Sequence, residues 1–215
     1  IVPYKYEATL KVDGKPFYAY LNGTAKFRKD LGSISNTFKA GAQWNVNKNF
    51  GKGTIFDPER PFSVDMNVRP RDYSSIPATH QMSAFIEDNS VWTFGNGFKA
   101  EWLAGVRVAA MAGAGKEYSV NMKPYFDPRL NLRLEKSLGK DVKVGVSGGA
   151  GWHTKFPTMD QLYPDPIYYD VTQMNYWPVE ENLRRINVYV LKINPTNFGL
   201  KAARNFKWEI AADVQ

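Results

Sequence analysis

The side chains that could do chemistry in this chain are few and scattered. There is no Cys and only two His, which removes thiol nucleophiles, disulfides and zinc fingers and makes a His-rich metal site a poor fit. His153 precedes Asp160 and Asp165, a His–carboxylate combination that a hydrolase needs, yet no serine stands at a recognisable spacing. A His at a strand end is more often a polar rim residue, so the chain is not expected to be an enzyme. Asp160, Asp165 and Asp170 are regularly spaced but lack the dense oxygen-ligand pattern of a calcium loop. The run Ala112 to Lys116 (AGAGK) is followed by Glu117 where a phosphate loop has Ser or Thr, and Ala110 stands at its first glycine position. No cofactor or metal is therefore expected.

The segment from Thr154 to Arg184 is where a ligand would be met. Lys155, Tyr163, Tyr168, Tyr169, Tyr176 and Trp177 are candidate binding residues, the aromatics as stacking surfaces for a sugar or an aromatic chelator, while Lys155, Arg184 and Arg185 favour an anionic or strongly polar ligand. The simpler alternative is that these aromatics pack the loop against itself or rest in a headgroup layer. The chain carries 28 Lys+Arg against 21 Asp+Glu, a net charge of +7. These charges are spread along strand faces with no recognition helix, so nucleic acid is not an expected partner.

The elements that must position these residues are strands. Period-2 alternation dominates and predicts about nine strands. Val2–Val12 is the first and Phe17–Arg28 the second. Thr37–Asn47 is the third, and a less clean fourth runs about Ala78 to Trp92. Phe98–Val108, Arg129–Glu135 and Val142–His153 follow, then an ambiguous stretch from Arg185 to Ile193, and finally Asn205–Val214. In the cleanly alternating strands one face carries no Asp, Glu, Lys or Arg, whereas the opposite face is rich in them. No signal-peptide pattern opens the chain. Its most apolar window, Trp102 to Gly115, is too short for a spanning helix and is interrupted by Arg107.

A soluble β-sandwich or ligand-binding module is one reading of such a face. Three features favour an antiparallel up-and-down transmembrane β-barrel segment instead. Strands of a dozen residues, tilted by about 45°, rise roughly 28 Å, the thickness of a bilayer. The KDLGS, FGNG and GKD connections are tight, whereas those at about 48–77, 111–127 and 154–184 are long, the pattern of short periplasmic turns and long external loops. DGKP before the second strand is the exception. Aromatics sit at strand ends on the apolar face, with Phe27, Phe38, Phe98 and Phe206 expected beside the tight turns and Phe17, Trp44 and Trp152 toward the other rim. Gly145, Gly149 and Gly151 on the polar face either leave room in a lumen or permit strand coiling.

Several stretches resemble the barrel of TonB-dependent outer-membrane receptors of the Bacteroidetes type. They are SAFIEDN (Ser83 to Asn89) leading to LAGVRV (Leu103 to Val108), PRLNLRLE (Pro128 to Glu135), GAGWHTKFPTMDQLYPD (Gly149 to Asp165) and KWEIAADV (Lys207 to Val214), with weaker support from GAQWNVNKNFGKG (Gly41 to Gly53). The resemblance implies an outer-membrane receptor for a bulky nutrient such as a siderophore, cobalamin, glycan or peptide. Residues 1–215 would be part of one barrel domain whose N-terminal plug, and further strands, lie outside this chain. Lys99, Glu101, Arg107, Arg129, Arg133, Lys207 and Glu209 would face the lumen and plug. The implied partners are outer-membrane lipid, TonB acting through the plug, and a surface lipoprotein. A small closed outer-membrane barrel with an adhesive or structural role is a further alternative.

Overall fold

The computed structural model describes residues 2–3, 5–60, 69–139 and 142–214. The fold is all-β and antiparallel, with 64% of the described residues in strands. Twelve strands are present among the described residues: β1 (Val2–Pro3), β2 (Lys11–Asp13), β3 (Pro16–Leu31), β4 (Ile34–Asn49), β5 (Gly53–Ile55), β6 (Thr79–Phe94), β7 (Phe98–Ala112), β8 (Tyr125–Ser137), β9 (Lys143–Lys155), β10 (Ile167–Tyr176), β11 (Arg185–Ile193) and β12 (Ala203–Val214). A single turn of α-helix, α1 (Met159–Leu162), precedes β10. The chain divides into two compact units, one comprising Ala19–Val46, Thr79–Pro157 and Gly199–Gln215, the other Ile1–Tyr18, Asn47–Ala78 and Thr158–Phe198.

The first unit is built on a seven-stranded sheet in the order β3-β4-β6-β7-β8-β9-β12. Strands adjacent in this sheet run in opposite directions, so the tight turns after β3, β6 and β8 share one end and the connections after β4, β7 and β9 leave the other. At the turn end Gly32 (φ +60) and Gly97 (φ +74) supply the left-handed backbone that close reversals require. The sheet is open: β3 and β12 are its two edges.

Register converts the alternation into two chemically opposite faces, because residues directly opposite one another project to the same side. On β7 and β8, Lys99 lies opposite Glu135, Glu101 opposite Arg133, Gly105 opposite Arg129 and Arg107 opposite Asp127. On β9 and β12, Lys207 lies opposite Gly151 and Glu209 opposite Gly149. The other face carries Trp102 opposite Leu132, Ala104 opposite Leu130 and Ile210 opposite Gly148. Its large side chains are uncovered: Leu130 is 54% exposed, Trp208 70% and Ile210 75%. The buried cluster of this unit sits at its loop end, where Met111, Ala114, Tyr118, Val120 and Tyr125 are enclosed. The Tyr125 hydroxyl accepts the Ala202 N–H at 3.2 Å, and its ring meets Phe156 edge-on at 5.6 Å.

Four sequence expectations change. The strand expected from Val2 to Val12 is two short pieces, β1 paired with β11 and β2 paired with β5. Alternation is a property of one segment, whereas a strand needs a second segment to pair with its backbone donors and acceptors. The DGKP segment therefore does not join two strands of the large sheet, which removes the one exception to the short-turn pattern. The segment from Thr154 to Arg184 is not simply a loop: it contains α1 and β10, and β10 pairs with β11 in a separate three-stranded sheet. Phe206 lies opposite Trp152 at the loop end of the sheet, not beside a tight turn, since β12 enters the sheet from that end.

Candidate functional site

All seven residues expected to face a lumen lie on the polar face of the large sheet. Two of them reach across an intervening strand. Arg129 on β8 pairs with the buried carboxylate of Glu87 on β6, which also binds Lys39 on β4 at 3.4 Å. Gly105 of β7 lies between them, opposite both Glu87 and Arg129. Arg133 on β8 holds Asp213 on β12 through two bonds of 2.8 and 2.9 Å, crossing β9 at Gly145. A Cβ at Gly145 would come within 2.8 Å of both partners. Asn131 lies similarly over Gly149, and Arg129 over Gly151. Gly105 and Gly145 thus lie beneath side chains that tie non-adjacent strands, whereas Gly149 and Gly151 give room to the side chains of their β8 neighbours.

The aromatics of the apolar face cluster at its two ends. Near the turns, Trp92 contacts Trp102 and Phe94, and Phe94 contacts Phe98, with ring centroids 5.5–6.4 Å apart. At the loop end Trp152 packs on Phe206 at 5.2 Å beneath the Arg204 guanidinium, and Trp44 stacks on His80 at 5.8 Å. Between these ends one acid breaks the pattern. Asp88 lies opposite Ala104 and so projects from the apolar face, a feature hidden in the fourth strand's imperfect alternation.

The second unit gathers a different site. Arg69 binds Asp170 at 2.7 and 2.5 Å and lies over the Tyr168 ring at 5.2 Å. Arg71 binds the Asp165 carboxylate and donates to the Tyr163 carbonyl. Lys192, opposite Tyr168 on β11, reaches over the same ring at 5.7 Å. Arg69, Arg71, Tyr163, Asp165, Tyr168 and Lys192 line a cavity of about 770 Å³. Asp72 on its wall is held below the usual carboxylate range by the Ser74 hydroxyl and N–H, which it accepts at 2.6 and 2.8 Å.

Of the candidate ligand residues, the structure brings Tyr163 and Tyr168 to this cavity. Tyr169 projects from the other face of the β10–β11 ribbon, beside exposed Val171 and Leu191. Tyr176 lies opposite Arg185 at the ribbon's far end, and Trp177 stacks under Arg184 at 4.6 Å. Lys155 ends β9 in the other unit, opposite Ala203, and His153 faces Asn205. Asp165 and Asp170 hold arginines, and among the described residues no group of three His, Asp or Glu side chains is placed to bind a metal ion. Sequence reasoning missed Arg69, Arg71 and Lys192. The partners of the two arginines lie about a hundred residues away, beyond the reach of any local pattern, and Lys192 meets Tyr168 only through the pairing of β10 with β11; the pair Arg69-Pro70-Arg71 is the one visible trace.

No protein-family model, curated protein or solved structure matches this chain.

Proposed function

We propose that this chain forms part of the wall of an outer-membrane β-barrel of the TonB-dependent receptor type, serving uptake of a bulky nutrient rather than catalysis. The observation that carries the reading is the two-faced sheet. One face is apolar, exposed and banded by aromatics at both ends; the other is knit by ion pairs; and all three tight turns share one end. A bilayer satisfies such a face where water does not, and strands of 12 to 16 residues, rising about 3.3 Å per residue at a tilt of about 40°, cross its apolar layer of about 25 Å. On this reading the polar face lines the lumen and meets the plug, TonB acts through that plug, and the long connections after β4, β7 and β9 face outward to capture ligand.

Asp88 favours a second reading, in which another protein layer covers the apolar face of a soluble binding module. A carboxylate in mid-face costs energy in lipid, though less than Arg or Lys does, and a protein partner can supply its donor. Purification of the full-length protein decides between the two. The membrane reading expects aggregation without detergent and a monodisperse species with it; monodisperse protein in plain buffer overturns it.

A further inference from the structure

We propose that the cavity between the Arg69–Pro70–Arg71 segment and the β10–β11 ribbon is a site for a compact oxyanion, a carboxylate or phosphate group carried by the ligand, which replaces Asp165 on Arg71 and engages Lys192. This rests on the reading above only in taking these connections as ligand-facing.

The two arginines of the cavity are held differently. Arg69 and Asp170 are both largely enclosed, with side chains 14% and 22% exposed, and both carboxylate oxygens accept from one Arg69 nitrogen while the guanidinium lies over the Tyr168 ring. That pair is a fixed strut. Arg71 is similarly enclosed at 21%, but its carboxylate partner Asp165 is 60% exposed. An exposed carboxylate keeps much of its hydration and adds little to the pair, so it yields to a competitor. Pro164 and Pro166 stiffen the backbone on either side of Asp165, so releasing its side chain need not unfold the segment. The second guanidinium branch of Arg71 stays anchored on the Tyr163 carbonyl.

The rest of the cavity offers donors without competing acids. Lys192 makes a cation–π contact with Tyr168 and no ion pair among the described residues. Asn194 uses its side-chain oxygen to accept the Thr196 N–H and hydroxyl at 3.1 and 2.7 Å, which leaves its amide nitrogen as a donor. Asp72, the other acid on this wall, is taken up by Ser74. A guanidinium, an ammonium and an amide N–H around one cavity of ligand size match an oxyanion.

Titration calorimetry tests this with citrate and inorganic phosphate as probes. The protein is the full chain, in detergent or buffer, whichever keeps it monodisperse. Lys192→Gln should weaken binding about tenfold, the loss of one charge-assisted hydrogen bond. Asp165→Asn should tighten it by about threefold, because the internal competitor loses its charge. Arg71→Gln should also weaken binding; since it removes the Tyr163 anchor, exposed Lys192 carries the test and near-ultraviolet circular dichroism checks its fold. Binding of citrate alone assigns a carboxylate ligand, and binding of phosphate alone a phosphorylated one. The proposal is overturned if neither probe binds, if Lys192→Gln binds as wild type does, or if Asp165→Asn weakens binding. Detergent-free monodispersity sinks the membrane reading and leaves these titrations to be read as they stand. Failed titrations in a detergent-dependent protein leave the barrel and move capture elsewhere.

Discussion

A depth profile along β12 separates lipid, water and protein as the medium of the apolar face. Phe206, Ile210 and Val214 project from that face at regular intervals. Four residues at about 3.3 Å each give about 13 Å along the strand, or about 10 Å of depth at a tilt of 40°. If Phe206 marks one interface with Trp152, Ile210 falls near the midplane and Val214 near the opposite boundary. Arginine at Ile210 should then cost about 2 to 4 kcal/mol, and at the two rim positions about 0 to 1 kcal/mol. The cost of alanine at the same position is subtracted from each, which removes the lost Trp152–Phe206 contact. On a water-facing surface Ile210, 75% exposed, would accept arginine within about 0.5 kcal/mol. Against a packed protein layer the cost would follow local contacts and not depth. Lys207→Arg on the polar face is the control and should be nearly neutral. The assay is equilibrium urea unfolding of the full-length chain in lipid vesicles, read by tryptophan fluorescence. A profile without a maximum at Ile210 refutes the lipid assignment.

Two further predictions concern stability. Gly145→Val inserts a side chain where Arg133 and Asp213 meet, whereas at Gly148, on the other face, a Cβ finds nothing nearer than 3.5 Å. The first should unfold at a lower denaturant concentration than Gly148→Val, because it displaces a bidentate ion pair; adding Asp213→Asn should abolish the difference in denaturant melts, and a persisting difference would assign it to backbone crowding. Tyr118 is 4% exposed, and burial together with Glu117 raises its phenol above the usual value of about 10. Its stabilising contribution is complete below that pH and is lost as pH rises through the folded value, because only the unfolded chain releases the proton. Absorbance at the phenolate band should show one late-titrating tyrosine, absent in Tyr118→Phe.

The two faces of the sheet and its tight turns were legible because both are local signals: alternation needs only neighbours two apart, and a turn needs only its own glycine. The same locality explains the failures. The alternation of Val2 to Val12 is as regular as in any strand of the large sheet, yet its described pairing is confined to β1 and β2, because pairing is a property of two segments and not of one. The alternation of β10 is equally present in Ile167, Tyr169 and Val171, but the prolines around it and its place between two strands of the large sheet give it the appearance of a loop. Arg69 and Arg71 carried no periodic mark, because an ion pair closed over a hundred residues leaves no spacing to detect.

Contacts within the polar face change which of its residues remain to meet something else. Arg129 is committed to Glu87, Arg133 to Asp213, and Lys99 to Glu101 at 3.7 Å. The first two pairs cross a strand and the third lies within β7, and all three are explained by the sheet alone. Arg107 only rests on the Phe85 ring, and Lys207 and Glu209 make no ion pair among the described residues. A sheet stabilised solely for itself gains little from three uncommitted charges, one on β7 and two on the edge strand β12. If a domain or a solute occupies the space over this face, these are the positions that can answer it without breaking the sheet, and alanine there should leave denaturant stability near wild type while altering whatever the face contacts.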